Sequence, residues 1–231
     1  MTERRILDGD PPIELELRAN PRARRLTLRV AARDGRVTLT VPHGVGEREA
    51  LDFAHSRRAW IGKHLASVQP ERTLGLGDLI PVEGQDLRVA VGSVRSARVE
   101  AGELLLPTRS GTAPGRAVAA FLKVLARERL AAASDRYAAV LGRSYARITL
   151  RDTRSRWGSC SSAGALMYSW RLAMAPPEVL SYVAAHEVAH LEEMNHSRAF
   201  WGVVERLMPD FEGHRRWLRE NGTALQRIKL D

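Results

Sequence analysis

Two histidines four residues apart, His186 and His190, enclose Glu187 in a segment that opens at Pro176-Pro177. In a helix, residues i and i+4 lie one above the other, so both imidazoles reach a single point from one face. Proline is tolerated in a helix's first turn, and Leu180 and Val183 supply apolar positions behind the histidines. The segment therefore reads as an amphipathic helix with a metal-binding face. Glu187, offset by one residue, leans toward a water on the metal rather than toward the metal itself. Zinc lowers the pKa of bound water to about 7, and a nearby carboxylate can take the proton.

Two ligands hold zinc weakly, so the pattern calls for a third. His196 follows within Met194-Asn195-His196-Ser197, and Asn195 tolerates the left-handed backbone that ends helices. A turn just after Glu193 would swing His196 back to the ion; Glu192 and Glu193 are rival third ligands. Three histidines leave a fourth position open, the catalytic rather than the structural arrangement. A structural site without catalysis is the rival reading, and Glu187 argues against it, since such a site needs no base. The chain has one cysteine, Cys160, which excludes a four-cysteine zinc site and any intramolecular disulfide. Cys160 reads either as a small buried hydrophobe or as a group that binds or blocks the metal. His43, His55, His64 and His214 read as surface or packing residues.

Elsewhere the hydrophobic period changes several times. Ile13, Leu15 and Leu17 alternate with polar residues, as do Leu26, Leu28 and Val30, then Val37, Leu39 and Val41. This is the period of half-buried strands, and Asp34-Gly35 between the last two runs suits a tight hairpin. From Glu47 to Val68 the apolar spacing is helical. Short strands return at Leu79–Val82, Leu87–Val91, Ala97–Glu100 and Leu104–Leu106, read as a meander. Ser110 to Gly115 is linker-like and marks an expected boundary between a strand-rich region, 1–112, and a catalytic domain, 113–231. A long helix from Ala117 to Leu141 then stops at Gly142. Strands are expected at Ala146–Leu150 and Ala165–Leu172, and helices at Arg198–Leu207 and Phe211–Asn221. The fold class expected is α+β, a strand-rich N-terminal half before a helical core with a small antiparallel sheet.

Of the 231 residues, 44% are hydrophobic and 27% charged, which argues against long disorder. No stretch approaches the ~20 apolar residues of a membrane helix, and residues 1–10 lack a signal peptide's apolar core. A soluble, cytoplasmic protein is expected. The net charge of +9, carried almost entirely by arginine, suits either a weak association with nucleic acid, nucleotides or acidic proteins, or merely a solvated basic surface. No basic block with interleaved aromatics favours the first.

Residues 151 to 201 closely resemble the YgjP-like metallopeptidase family, relatives of the SprT-like zincins. The matching pieces are Arg154-Ser155-Arg156-Trp157-Gly158-Ser159-Cys160-Ser161, Trp170-Arg171-Leu172, Ala175-Pro176, the His186–His190 motif, Asn195-His196-Ser197 and Phe200-Trp201. Weaker similarity at Arg24-Arg25-Leu26 and Trp60-Ile61 extends it over most of the chain. Glu193 departs from the related metzincin pattern, which has glycine there. The resemblance implies a zincin-like α+β core, a Zn2+ cofactor held by His186, His190 and His196, and a peptide or protein substrate. Glu187 is then the general base.

The strand Ala165–Leu172 is expected beside the metal helix, able to pair with an extended substrate. Arg156 and Arg171 are candidate substrate-binding or transition-state groups, or alternatively caps for carbonyls and partners for Asp152. Asn195 is a further candidate contact. Trp157, Trp170, Phe200 and Trp201 read as a core wedge holding the helix. Rival functions are hydrolysis of a non-peptide bond, such as that of a nucleoside triphosphate, and a nucleic-acid-associated protease.

Overall fold

The computed structural model describes residues 2–31, 34–66, 68, 72–108, 111–153 and 155–230. Arg154 and Ser110, singled out above, lie outside them. The chain divides into two compact units, Met1–Glu71 and Arg72–Asp231.

In the first unit, strands β1 (Thr2–Leu7), β2 (Ile13–Ala19), β3 (Thr27–Val30) and β4 (Val37–Val41) form one sheet in the order β1-β2-β4-β3. The Asp34-Gly35 turn joins β3 to β4 in an antiparallel pair, with Gly35 at φ +70°, a conformation that costs glycine little. Alternation works as expected in β2: Ile13, Leu15 and Leu17 face a core shared with Leu7, Val37 and Leu39. Ala50, Ala54 and Ile61 of two helices, α1 (Glu47–Ser56) and α2 (Arg58–Ala66), close that core. The single helix expected over 47–68 is thus two, broken at Arg57, whose φ of −103° and ψ of 7° leave the helical region. The strand β1 escapes the periodicity argument because Leu7 is its one fully buried apolar side chain, whereas Ile6 is exposed.

The second unit begins with β5 (Arg72–Thr73), then β6 (Leu79–Val82), β7 (Gln85–Gly92), β8 (Arg98–Glu100) and β9 (Glu103–Pro107). These last four are not a plain meander: their order is β6-β7-β9-β8, with β7 and β9 parallel. The first sheet has the same order and senses, with β2 and β4 parallel. The likeness lies in topology and leaves no repeat in the residues themselves.

The long helix α3 (Pro114–Leu141) ends at Gly142, at φ +60°. Leu87, Val89, Leu104 and Leu106 of the sheet share one core with Val118, Leu122, Ala126 and Leu130 of α3. The linker-like residues 111–115 therefore lie inside a unit with a continuous core, and the division falls instead near residue 71.

Three strands, β10 (Arg147–Arg151), β11 (Gly158–Cys160) and β12 (Ala165–Ser169), make a small mixed sheet in the order β10-β12-β11. β12 is shorter than the expected run to Leu172, because Trp170–Met174 turns into a 3-10 helix. Helices α4 (Pro177–Ala189), α5 (Arg198–Leu207) and α6 (Phe211–Arg227) follow, and β13 (Ile228–Lys229) pairs in parallel with β5. α4 is less amphipathic than expected. It is buried almost all round, because α3, α5, α6, β11 and the 3-10 turn all pack against it, the situation in which a helix carries apolar residues on every side.

Candidate metal centre

His186 and His190 occupy the last turn of α4, and His190 caps it at φ −66° and ψ −14°. The chain tightens beyond, Leu191 N–H donating to Val188 and Glu192 and Glu193 N–H to Ala189. Asn195 does not take the left-handed conformation expected of it; positive φ is confined, among described non-glycine residues, to Glu83 and Ala101. Its side chain instead accepts the Ser197 N–H at 3.1 Å, a local turn bond of the kind Asn makes readily. Ser197 in turn caps α5 by accepting from Phe200 N–H. Asn195 therefore shapes the loop that returns His196 to the helix.

The three histidines offer ligand atoms all within 4.8 Å of one another. Nε2 of His196 stands 3.0 Å from Nε2 of His186. Beneath them lies Phe200, fully buried, its ring 4.9, 4.5 and 4.8 Å from those of His186, His190 and His196. Trp201 closes one side, 5.7 Å from His186 and 6.0 Å from His196. Phe200 and Trp201 thus form the wedge expected of them, and Trp170 is buried in the same core.

The donor chemistry fits a metal cation. The Glu193 carbonyl lies 3.0 Å from Nδ1 of His190 and accepts its proton, which leaves Nε2 unprotonated, as a ligand requires. Burial is the largest influence holding His186 and His190 neutral. It brings His186 down to about 3, with help from His190, His196 and Arg215, and it lowers His190 as well. Nδ1 of His186 is buried without a partner among the described residues. The rival ligand Glu192 is spent on Arg206, which donates to both its oxygens at 2.9 and 3.0 Å.

Glu187 is 5% exposed and faces β11. Burial pushes its carboxyl up to about 8, partly opposed by the positive charge of exposed Arg156. Gly158 makes the approach possible, and nothing in the linear spacing marks it for that role.

Two expectations are corrected here. Arg171 is 3% exposed; it pairs with Asp152 at 2.7 and 3.1 Å and donates to the carbonyls of Leu225 and Ile228 at 2.9 and 2.8 Å. Four of its N–H donors are used in tying the end of α6 to the sheet, and its burial keeps it from a substrate. The strand β12, expected to pair with substrate, is the central strand with both edges occupied. The edge beside the metal helix belongs to β11.

Sequence reasoning also passed over Tyr182 and Arg215. Tyr182 lies one turn before His186, 6.1 Å away ring to ring, and stacks on Phe211. Arg215 lies over the Trp201 ring at 4.4 Å. Both are far from the histidine motif in pattern or in sequence, and only the packing of α6 on α4 draws Arg215 in.

Residues 24–221 match the family described as YgjP-like, metallopeptidase domain. Among curated proteins none matches. Of solved structures, the metallopeptidase zymogen of Pyrococcus abyssi abylysin is similar over 97% of that chain and 43% of this one, at 23% identity and a TM-score of 0.37.

Proposed function

The chain belongs to the YgjP-like metallopeptidase family, and from that premise we propose that it hydrolyses peptide bonds with zinc held by His186, His190 and His196. The observation that carries this reading is the convergence of the three imidazoles within 4.8 Å, with a buried carboxyl next to them in sequence. An all-nitrogen set of three, with no thiolate, suits zinc in a catalytic rather than a structural site. Zinc bound there would supply Lewis acidity, polarising the scissile carbonyl and acidifying a water.

The remaining work belongs to the protein. Glu187, through the Oε1 that faces Gly158, takes a proton from the attacking water and returns it to the departing amine. A low-dielectric surround strengthens each of these interactions. The outer edge of β11, unpaired among the described residues, would take an extended peptide whose backbone pairs with Gly158–Cys160. Arg156 lies exposed beside Gly158 and its charge reaches Glu187. It would steady negative charge that develops on the substrate carbonyl.

The test is hydrolysis by zinc-loaded protein, against unfolded polypeptide and a nucleoside triphosphate panel in parallel. Cleavage of polypeptide by wild type, absent in Glu187→Gln, supports the reading. Turnover of a nucleotide alone would retain the metal site and overturn the substrate class. No helix among the described residues is long and apolar enough to cross a membrane.

A further inference from the structure

We propose that Arg215 sets specificity by binding a carboxylate of the peptide substrate next to the metal centre. The carboxylate is either an acidic side chain or the free C-terminus. The inference rests on the peptidase reading and deepens it.

Its foundation is a layered set of side chains leading away from the histidines. Phe211 and Arg215 are i, i+4 neighbours on α6, and both lie against Trp201. The Phe211 ring is stacked at 5.4 Å and 18°, and the Arg215 guanidinium carbon is 4.4 Å from the indole centroid. Trp201 meanwhile touches the rings of His186 and His196. A guanidinium laid on an indole is held by its face, while its N–H donors project in the plane and remain available. Arg215 is exposed, and it makes no ion pair or hydrogen bond among the described residues. The contrast is with Arg171 and Arg206, which are committed to Asp152 and Glu192.

The cation is one ring removed from the histidines, since the indole it lies over is also the one beside His186 and His196. It also lines a cleft that opens beyond Trp201 between α5 and α6. That cleft is mixed in sign. Glu205 and Glu212 share its wall with Arg198 and Arg216, and Asp210 is engaged by His214 at 3.2 Å. A general positive field therefore does not explain recognition there, and a carboxylate would be selected by direct pairing with one preorganised fork. An amide of the same shape would leave that fork without its charged partner.

The experiment uses the zinc-loaded full chain and matched peptides. One pair carries Glu or Gln within two positions of the scissile bond, and another carries a free or amidated C-terminus. Wild type, Arg215→Gln and Arg215→Lys are compared by kcat/KM. Binding of the same peptides, fluorescently labelled, to Glu187→Gln and to Glu187→Gln/Arg215→Gln is read by anisotropy. Wild type should favour one carboxylate form by roughly tenfold to a hundredfold, the range of a charge-assisted hydrogen bond. Which pair shows the preference identifies the source. Arg215→Gln should bring the ratio near one, and Arg215→Lys should restore part of it. Equal rates for both members of each pair, or a preference that survives Arg215→Gln, overturns the inference while the peptidase reading stands. Absence of all cleavage fails the peptidase reading. Anisotropy then judges Arg215 separately: a carboxylate preference lost with the arginine upholds its role, and none overturns it.

Discussion

A Cβ built on Gly158 would lie 2.4 Å from Oε1 of Glu187. Gly158 does not sit at positive φ, so alanine is conformationally allowed, and the nearest atoms it would meet are Oε1, Cγ and Cδ of Glu187, at 2.4, 2.6 and 2.7 Å. Because Cγ is met as well as the carboxyl, the side chain must shift from its stem, and a misplacement of about 1 Å can cost ~10²-fold in rate. Gly158→Ala is expected to bind zinc as wild type does, melt within a few degrees of it, and lose about a hundredfold in kcat. A variant with unchanged kcat would show that the base works from another position, or that Glu187 is not the base.

Replacing the carboxyl itself separates proton transfer from metal binding. Glu187→Gln keeps the size and removes the basic oxygen, and a general base contributes typically ~10²–10⁴-fold. Zinc content by elemental analysis should stay at one per chain while peptide hydrolysis falls by at least the lower figure. Full activity in this variant would assign the base elsewhere.

His196 is the exposed member of the triad, and it reaches the others through a loop shaped by Asn195 and Ser197. His196→Ala should weaken zinc binding by more than the ~10–100-fold that loss of an outer-shell partner costs, measured by competition with a chelator. Asn195→Ala should weaken it less, since the ligand survives and only the turn is loosened. Wild-type affinity in His196→Ala would point to an acidic third ligand, and Glu193 rather than Arg206-bound Glu192 would be the residue to change next.

The helix and the placement of His186, Glu187 and His190 along it were legible because each follows from one period of 3.6 residues. His196 was legible only as a distance along the chain, and the way it returns was misread. The tight end of α4 and the Asn195 side chain do what a left-handed residue was expected to do. What local pattern cannot carry is contact between distant segments. The parallel pairings β2–β4 and β7–β9, the Gly158–Glu187 approach and the stack of Arg215 on Trp201 all belong to that class. Arg171 is the instructive case. An arginine beside a catalytic motif invites a functional role, yet its burial depends on Asp152 and on carbonyls more than 50 residues away.

Cys160 lies in β11, half-buried, with its thiol donating to the Ser161 carbonyl at 3.4 Å. Burial, and secondarily the carboxylate of Glu187, push its pKa up to about 11. A thiol reacts as its thiolate, and an ordinary cysteine titrates near 8.5. At pH 8 alkylation of the native protein should therefore run roughly 10²-fold slower than in denaturant. Its rate should keep climbing as pH rises toward 11 rather than level off near 9. Following the label by mass spectrometry checks this. Rapid labelling at pH 8 would mean the thiol is freer and more acidic than its surroundings imply.

Arg171 is where stability and activity should part. Its guanidinium is 3% exposed, and it meets Asp152 together with two carbonyls at the end of α6. Breaking a buried pair leaves the remaining partners unsatisfied, which typically costs about 3–5 kcal/mol. Here Asp152 is 41% exposed and can be rehydrated, so the lower end applies. Arg171→Ala should lower the melting temperature by several degrees and loosen the junction where β13 meets β5. Arg171→Lys cannot restore it, since a point charge cannot span a bidentate carboxylate and two carbonyls at once. At temperatures where the variant stays folded, zinc affinity and KM should be near those of wild type. A selective rise in KM at full stability would return Arg171 to the substrate site.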